Sequence, residues 1–112
     1  MQDLSPETVG IFDIVLFSGI FYHMRDPIQA LAAAASVTQH RLIVETHILP
    51  NTAEAFMRYL PRQEGNETSN YWRPTTALML TLLTEMGFAR IEHRIVPDAP
   101  DAYHGFFNAY RD

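Results

Sequence analysis

Residues able to do chemistry gather at three places in this sequence. Ser18-Gly19 closes an apolar run, and Tyr22-His23 follows shortly after it. Glu45 and His47 lie two residues apart, so on a strand both side chains point to one face. Tyr71-Trp72-Arg73 is a third group, with two aromatic rings beside a guanidinium. His23 is the candidate for proton transfer, Glu45 and His47 are considered as metal ligands, and the remaining residues are candidates for binding.

Each group also has an interpretation without function. His23 could act as a general base or an orienting donor, but a histidine beside an apolar strand end often bonds only local groups. With His23, Glu45 and His47 could suggest a metal site, yet no further ligand lies at a fitting spacing. We therefore predict no metal. Tyr71-Trp72-Arg73 could stack on a substrate ring, or form a hydrophobic staple at a helix entrance.

The run Ile11 to Phe17 is apolar at alternating positions on both faces, apart from Asp13. This pattern is typical of a strand buried on both sides in a parallel sheet. Asp26-Pro27 predicts a helix start, with aspartate as N-cap and proline in the first turn. The helix is predicted to end near Val37-Thr38. The residues predicted on its buried face are Ile28, Leu31, Ala32 and Ala35.

A second strand, Arg41 to Ile48, completes a strand-helix-strand unit. Residues 49–74 are irregular, and Ala53 to Leu60 is predicted to form a helical turn or two within this functional loop. Pro74-Thr75-Thr76 predicts a second helix that Gly87 ends. Strands at 89–96 and 103–110 follow as an antiparallel hairpin, since their connection is short. The order β-α-β-loop-α-β-β predicts one α/β domain over residues 1–112.

The composition fits a folded protein, with 47% hydrophobic and 19% charged residues. There is no cysteine, which excludes disulfides, thiolate metal sites and cysteine nucleophiles. No signal peptide or membrane-spanning run is present, so we predict a cytoplasmic protein without membrane contact. The net charge is −5 and all 8 cations are arginine. This balance argues against nucleic acid as a partner bound through its backbone.

Four segments, in this order, resemble the second half of the Rossmann-like (class I) S-adenosylmethionine-dependent methyltransferases. Phe12-Asp13-Ile14-Val15 is similar to the family's fourth strand, and Leu42 to Thr46 to its fifth. Gly19 to Pro27 resembles the loop and helix start between those strands. Glu85 to Phe88 is similar to the helix end before the sixth strand. Within the family, the chain is most similar to methyltransferases that act on the wobble uridine of tRNA.

The resemblance implies the cofactor S-adenosylmethionine and residues that contact it. Such contacts gather at the carboxyl ends of the strands. Ser18, Gly19 and Tyr22 would line the methionine side of the cofactor pocket, unless Gly19 is only a turn and Tyr22 only a half-buried aromatic. The residues that would bind substrate are His23, Tyr71, Trp72 and Arg73. No catalytic residue is assigned.

The sequence lacks two features that bind the cofactor in this family. The family's first strand ends in a glycine-rich loop, and its second strand ends in an acidic residue that bonds the ribose hydroxyls. Here the 5 glycines are residues 10, 19, 65, 87 and 105, so there is no Gly-x-Gly. No strand is predicted before residue 11. We therefore expect a partial sheet that does not bind S-adenosylmethionine tightly as a lone chain.

A partial sheet leaves the strand at residues 11–17 as an exposed edge, which invites pairing with another chain. It also bares the sheet face that N-terminal helices cover in the family. We expect a homodimer through this edge strand or through the uncovered sheet face. Three functions stay open: a methyltransferase half completed by a separate, complementary chain, a non-catalytic dimerising module derived from a methyltransferase, and a fragment of a full enzyme.

Overall fold

The computed structural model describes residues 7, 10–18, 26–49, 53–59, 72–99 and 102–111. Its elements are β1 (Phe12–Ser18), α1 (Pro27–Ser36), β2 (Thr38–Ile48), β3 (Met57–Tyr59), β4 (Trp72–Pro74), α2 (Thr76–Glu85), β5 (Arg90–Ala99) and β6 (Ala102–Tyr110). The predicted order of strands and helices is confirmed, with β3 and β4 as additions to it. None of the described helices is long and apolar enough to cross a membrane.

The main sheet has four strands in the spatial order β1-β2-β6-β5. β1 runs parallel to β2, whereas β6 is antiparallel to both of its neighbours. A parallel pair needs a crossover connection, and α1 lies in the one between β1 and β2. The prediction of parallel strands that end in an antiparallel hairpin is therefore confirmed.

Both helices begin at capped positions that the sequence indicates. At the start of α1, the Asp26 carboxylate accepts a hydrogen bond from Gln29 N at 3.2 Å. At the start of α2, Thr75 Oγ1 accepts one from Leu78 N at 3.1 Å. Each bond satisfies an amide that the first helical turn leaves without a partner. Gly87 follows α2 with φ +95°, the left-handed conformation that commonly ends a helix.

Both helices pack on one side of the main sheet, which we call the covered face. The strand residues buried there alternate along each strand, and the pairing register places them on the same side. The large or apolar ones are Phe17, Leu42, Val44, Ile48, Phe107 and Ala109, and Thr46 is buried with them. The helices contribute Leu31 and Ala35 from α1, and Met79 and Leu83 from α2, to the same core. The core is thus one layer of side chains between the sheet and the helices.

One residue predicted on the buried face of α1 lies elsewhere. Leu31 and Ala35 are buried as predicted, but Ala32 is exposed. The buried stripe instead runs through Ala30 and Ala34, on the other side of Leu31. Successive helical residues are about 100° apart around the helix axis. A buried stripe that runs through Ala30 and Ala34 therefore leaves Ala32 facing away from the sheet.

The predicted loop at residues 49–74 contains a second, two-stranded sheet, in which β3 pairs antiparallel with β4. The helical turn predicted over residues 53–60 is wrong, since residues 53–56 are irregular and β3 follows them. Thr75 provides the physical reason. Its Oγ1 donates to Glu54 O at 2.7 Å and accepts from Phe56 N at 3.2 Å. The residue that caps α2 therefore holds this segment extended.

The opposite side of the main sheet, which we call the open face, is covered by no described element. Its residues alternate with those of the covered face: Phe12, Ile14, Leu16 and Ser18 of β1, Arg41, Ile43, Glu45 and His47 of β2, His104, Phe106, Asn108 and Tyr110 of β6, and Arg90, Glu92, Arg94 and Val96 of β5.

β1 shows the consequence of this one-sided covering. Leu16 is 65% exposed and Ile14 is 59% exposed, whereas Phe17 on the covered face is 1% exposed. The predicted burial of this strand on both sides is therefore wrong within the described residues. Its predicted position at the sheet edge is confirmed, because β2 is its single partner among the described strands.

Candidate functional site

The open face carries a polar cluster where β1 and β2 end. Ser18 is the last residue of β1, and it is paired with Glu45 of β2. His47 lies one residue before the end of β2 and is paired with His104. Because β6 runs antiparallel to β2, the start of β6 lies at the same end of the sheet. We call these four residues the Glu45 cluster.

The Glu45 carboxylate is the centre of the cluster. Ser18 Oγ donates a hydrogen bond to Oε1 of Glu45 at 2.9 Å. Nδ1 of His104 lies 2.6 Å from Oε2 of the same carboxylate. The two groups form an ion pair when the imidazole is protonated, but their geometry is not that of a hydrogen bond, and Oε2 has no hydrogen-bond partner among the described residues. The side chains of His104 and Glu45 are 22% and 15% exposed, so solvent screens this contact less than it screens a surface pair.

His47 extends the cluster behind His104. The Nε2 atoms of the two imidazoles are 3.2 Å apart, and the rings meet edge to face with centroids 4.1 Å apart. A neutral imidazole has one donor and one acceptor nitrogen. In this contact one Nε2 atom donates and the other accepts, and the tautomers of the two imidazoles decide which.

The open face also has a depression beside the cluster. It has a volume of about 450 Å³, and its lining includes Arg94, Val96 and Phe106. Phe106 is paired with Glu45 in the β2–β6 register, and its ring centroid is 6.4 Å from that of His104. The depression therefore lies over β5 and β6, where Glu92 and Asn108 also line it, and Phe106 is the lining residue that is paired with Glu45.

Three of the predicted site residues are described, and they lie in two separate places. Ser18 is at the carboxyl end of β1, as predicted, and its hydroxyl proton is donated to Glu45. Trp72 and Arg73 belong to β4, where the Trp72 ring meets Tyr59 at 63° with centroids 5.1 Å apart. Their predicted contacts with cofactor or substrate stay predictions. Gly19, Tyr22, His23 and Tyr71 lie outside the described residues.

The sequence did not single out His104, which makes the shortest contact to Glu45. The alternation of residues along Tyr103 to Tyr110 places His104 on one face of its strand, but not beside Glu45. That placement follows from the pairing of β6 with β2, residues 47 and 104 being opposite each other. A pattern within one strand contains no information about its partner, so only the topology could have identified this residue.

The described residues do not make up a site for a metal or for S-adenosylmethionine. Among them, no group of three or more His, Asp or Glu is placed to hold a metal ion. Of the three predicted cofactor contacts, the described residues include Ser18 alone, and its one hydroxyl proton is already donated to Glu45. The sequence has no Gly-x-Gly loop to bring backbone amides against the cofactor. The site that these described residues form is a polar cluster around the Glu45 carboxylate.

Comparisons with known proteins agree with this partial architecture. No protein-family profile matches the chain. It is 37% identical over 95 residues to a tRNA U34 carboxymethyltransferase of Dichelobacter nodosus (strain VCS1703A), an alignment that covers 82% of this chain and 28% of that protein. The chain thus spans less than a third of the length of this curated relative.

Solved structures share the fold at lower sequence identity. The N-terminal domain of EvdMO1, crystallised in the presence of SAH and D-fucose, matches with a TM-score of 0.67 and 21% identity, over 96% of this chain and 50% of that one. Magnesium protoporphyrin IX methyltransferase (ChlM) from Synechocystis PCC 6803, with bound SAM, matches with a TM-score of 0.61 and 15% identity, over 91% of this chain and 40% of that one.

The resemblance to class I methyltransferases that the sequence predicts is confirmed by these matches. The mixed sheet with its two helices is the part of that fold which the described residues form. The chain therefore has a partial Rossmann-like fold of the kind found in methyltransferases, and it is similar in sequence to one of them.

Proposed function

We propose that this chain supplies part of an S-adenosylmethionine-dependent methyltransferase, and that it is inactive until a complementary segment completes the cofactor site. The observation that carries the proposal is the open face, where an apolar edge strand leads directly to the Glu45 cluster. Ile14 and Leu16 are exposed on β1, and Ser18 follows them on the same face. A segment that covered the two apolar residues would therefore end beside the polar cluster.

The complementary segment must bring what these residues lack. It needs a glycine-rich loop for the methionine part of the cofactor and an acidic side chain for the ribose hydroxyls. S-Adenosylmethionine supplies an electrophilic methyl group when bound. In the completed protein, this chain would contribute Ser18, with Gly19 and Tyr22, to the cofactor side. It would contribute His23, Tyr71, Trp72 and Arg73 to the substrate side.

The test is a calorimetric titration of the chain with S-adenosylmethionine, alone and with a candidate complementary segment. We expect no binding at micromolar concentration by the lone chain, and binding after complementation. Tight binding by the lone chain would contradict the need for a second segment. The first acceptor to test is tRNA, since the D. nodosus relative is a tRNA U34 carboxymethyltransferase. Methyl transfer to tRNA by the completed protein, and not by the lone chain, is the result we expect.

A second candidate function is that of a non-catalytic homodimerising module. The exposed apolar residues of β1, which include Ile14 and Leu16, support it. Burying apolar surface contributes about 2.5 kcal/mol for each 100 Å² at about 25 cal/mol per Å². An interface of about 800 Å² per partner would thus offset the cost of association. Light scattering decides here, because a stable monomer across the micromolar range would contradict homodimerisation. Cytoplasmic localisation stays a prediction from the composition.

A further inference from the structure

We propose that the ribbon formed by β3 and β4 binds single-stranded nucleic acid, with Arg58 and Arg73 holding a backbone phosphate and Tyr59 stacking on a base. The proposal rests on the proposed function only in its choice of nucleic acid, since tRNA is the first acceptor to test there. The evidence for it lies in the side chains on the two faces of this two-stranded ribbon.

One face of the ribbon carries two arginines and no other side chain of β3 or β4. Arg58 and Arg73 are the middle residues of their strands, and they are direct partners in the antiparallel register. Directly opposite residues point to the same face, with Cβ atoms about 5 Å apart. Like charges in this position repel each other and destabilise the strand pair. An anion bound between the two guanidiniums would remove that repulsion.

Neither guanidinium is neutralised within the part of the chain that the structure describes. No described carboxylate forms an ion pair with Arg58 or Arg73, whereas Arg90 pairs with Glu92 at 3.1 Å. The Nε atom of Arg73 is buried and has no hydrogen-bond partner among the described residues. A buried donor of a charged group is unfavourable until an acceptor satisfies it. The burial of Arg73 and its pairing with Arg58 both favour an oxyanion ligand.

The opposite face of the ribbon is apolar and aromatic. Met57 packs against the core and Pro74 is buried. Next to them, the rings of Tyr59 and Trp72 meet at 63° with centroids 5.1 Å apart. Trp72 is half-buried, but Tyr59 is 52% exposed. An exposed ring that its neighbour holds in place is a surface on which a nucleobase can stack.

Arg58 and Tyr59 bring the two faces together at one edge. They are consecutive residues of β3, so their side chains point to opposite faces. β3 pairs with β4 and with no other described strand, so its outer edge is unpaired within the described sheets. A nucleotide carries its base and its phosphate on different sides of its sugar, and one that crosses this edge reaches both side chains. A duplex keeps its bases stacked inside, so the ligand is a single strand.

The ribbon lies at the end of the main sheet where this fold binds its cofactor. Leu49 directly follows β2 and is bridged to Thr75, and its backbone N–H donates to Pro74 O at 2.8 Å. β4 is therefore attached at the carboxyl end of β2, and cofactor contacts gather at the carboxyl ends of the strands. A phosphate held on the ribbon would keep an acceptor strand beside that end. The net charge of −5 argues against a broad basic surface, and a site of two arginines needs none.

The first test measures whether the arginine pair binds an anion. Melting temperatures are compared in sodium phosphate and in sodium chloride at equal ionic strength. Phosphate should raise the value for the unmodified chain, because a ligand of the folded state stabilises it. Arg58→Gln should abolish this rise without lowering the melting temperature in chloride, since it removes the charge opposite Arg73. Arg94→Gln, which removes the same charge from β5, should retain the rise.

Three results of this first test would overturn the proposal. One is that phosphate gives no more stability than chloride. Another is that Arg58→Gln retains the full rise. The third is that Arg58→Gln is less stable in chloride, which would assign Arg58 to a structural contact instead.

The second test uses single-stranded oligouridylate and the fluorescence of Trp72, the single tryptophan of the chain. A base stacked on Tyr59 should change this fluorescence. Arg58→Gln and Arg73→Gln should each weaken binding about tenfold and reduce its dependence on salt. Tyr59→Ala should also weaken it about tenfold, with the phosphate effect on melting unchanged. Tyr59→Phe keeps the ring and is the matched control, which should bind as the unmodified chain does.

The ligands in the second test also decide its class. Polyglutamate that bound as tightly as oligouridylate would overturn the choice of nucleic acid, and duplex RNA that did so would overturn the choice of a single strand. A phosphate effect on melting without any binding of oligouridylate would overturn both. These measurements need neither cofactor nor methyl transfer. If oligouridylate binds as expected and the completed protein transfers no methyl group, the proposed function fails and the binding site on the ribbon stands.

Discussion

The two faces of the main sheet are built from the same four strands, yet they differ in what covers them. On β1, Phe17 points to the covered face and is 1% exposed, while its neighbour Leu16 points to the open face and is 65% exposed. Both are large apolar residues, so hydrophobicity alone does not distinguish them. The difference is that α1 and α2 pack against one face, and no described element packs against the other.

This contrast shows how much a strand pattern depends on its surroundings. An apolar residue contributes to stability only through the surface that folding removes from water. Leu16 and Ile14 therefore contribute little in the described structure, although their types are those of a strand buried on both sides. Apolar residues kept on an open face are instead typical of an interaction surface.

The largest effect is expected from truncating neighbouring residues on the two faces. Phe17→Ala should lower the free energy of unfolding by about 3–5 kcal/mol, because it removes a buried ring and leaves a cavity. Leu16→Ala should lower it by less than about 1 kcal/mol, because most of that side chain is already in water. Urea unfolding of the two variants measures both values. Equal losses would show that the open face is buried in solution and that the two faces do not differ in burial.

A second prediction concerns how the helices are attached to the covered face. Arg111 donates hydrogen bonds to three carbonyls near the helix ends: Ala35 O at 2.6 Å, Thr38 O at 2.9 Å and Met86 O at 3.0 Å. Carbonyls at a helix end lack intrahelical partners, and a guanidinium satisfies several at once. Arg111→Ala should therefore cost about 2–3 kcal/mol in the free energy of unfolding.

The matched control for Arg111 lies on the open face. Arg94 is exposed on β5, so Arg94→Ala should change the free energy of unfolding by less than about 0.5 kcal/mol. Arg111→Lys separates charge from geometry, since an ammonium cannot reach three carbonyls in the way that the planar guanidinium does. A lysine variant as stable as the original protein would contradict the role assigned to the planar guanidinium of Arg111.

The elements of the covered face could be predicted from the sequence, whereas the contacts between distant segments could not. Asp26-Pro27 predicts the start of α1 correctly because an N-cap acts within one helical turn. Local propensity predicts a helical turn over residues 53–60, but Thr75 holds Glu54 and Phe56 extended from a distant position in the sequence. His104 could not be identified as a site residue for the same reason, since its place beside Glu45 follows from strand pairing.

A third prediction tests whether a second copy of the chain covers the open face. Leu16→Arg places a charge among the exposed apolar residues of β1. If a second copy of the chain buried this strand, the charge would lose its hydration, which is unfavourable. Self-association of the chain should weaken at least tenfold, which is about 1.4 kcal/mol. Thr81→Arg, at an exposed position on α2, is the control and should leave association unchanged. Sedimentation over a concentration series measures both, and equal weakening would exclude the open face as the interface.

The smallest effect is expected from the polar half of the open face, where two carboxylates can be compared. Glu92 pairs with Arg90 at 3.1 Å, but these side chains are 61% and 50% exposed. Solvent and salt screen such a pair, so Glu92→Gln should cost less than about 0.5 kcal/mol, and less still at high salt. Glu45→Gln should cost about 1–2 kcal/mol, because Glu45 is largely buried beside His104. Urea unfolding at low and high salt measures both. If the two losses were equal and fell together with salt, the Glu45 carboxylate would be as hydrated as that of Glu92, and the open face would have no site that excludes water.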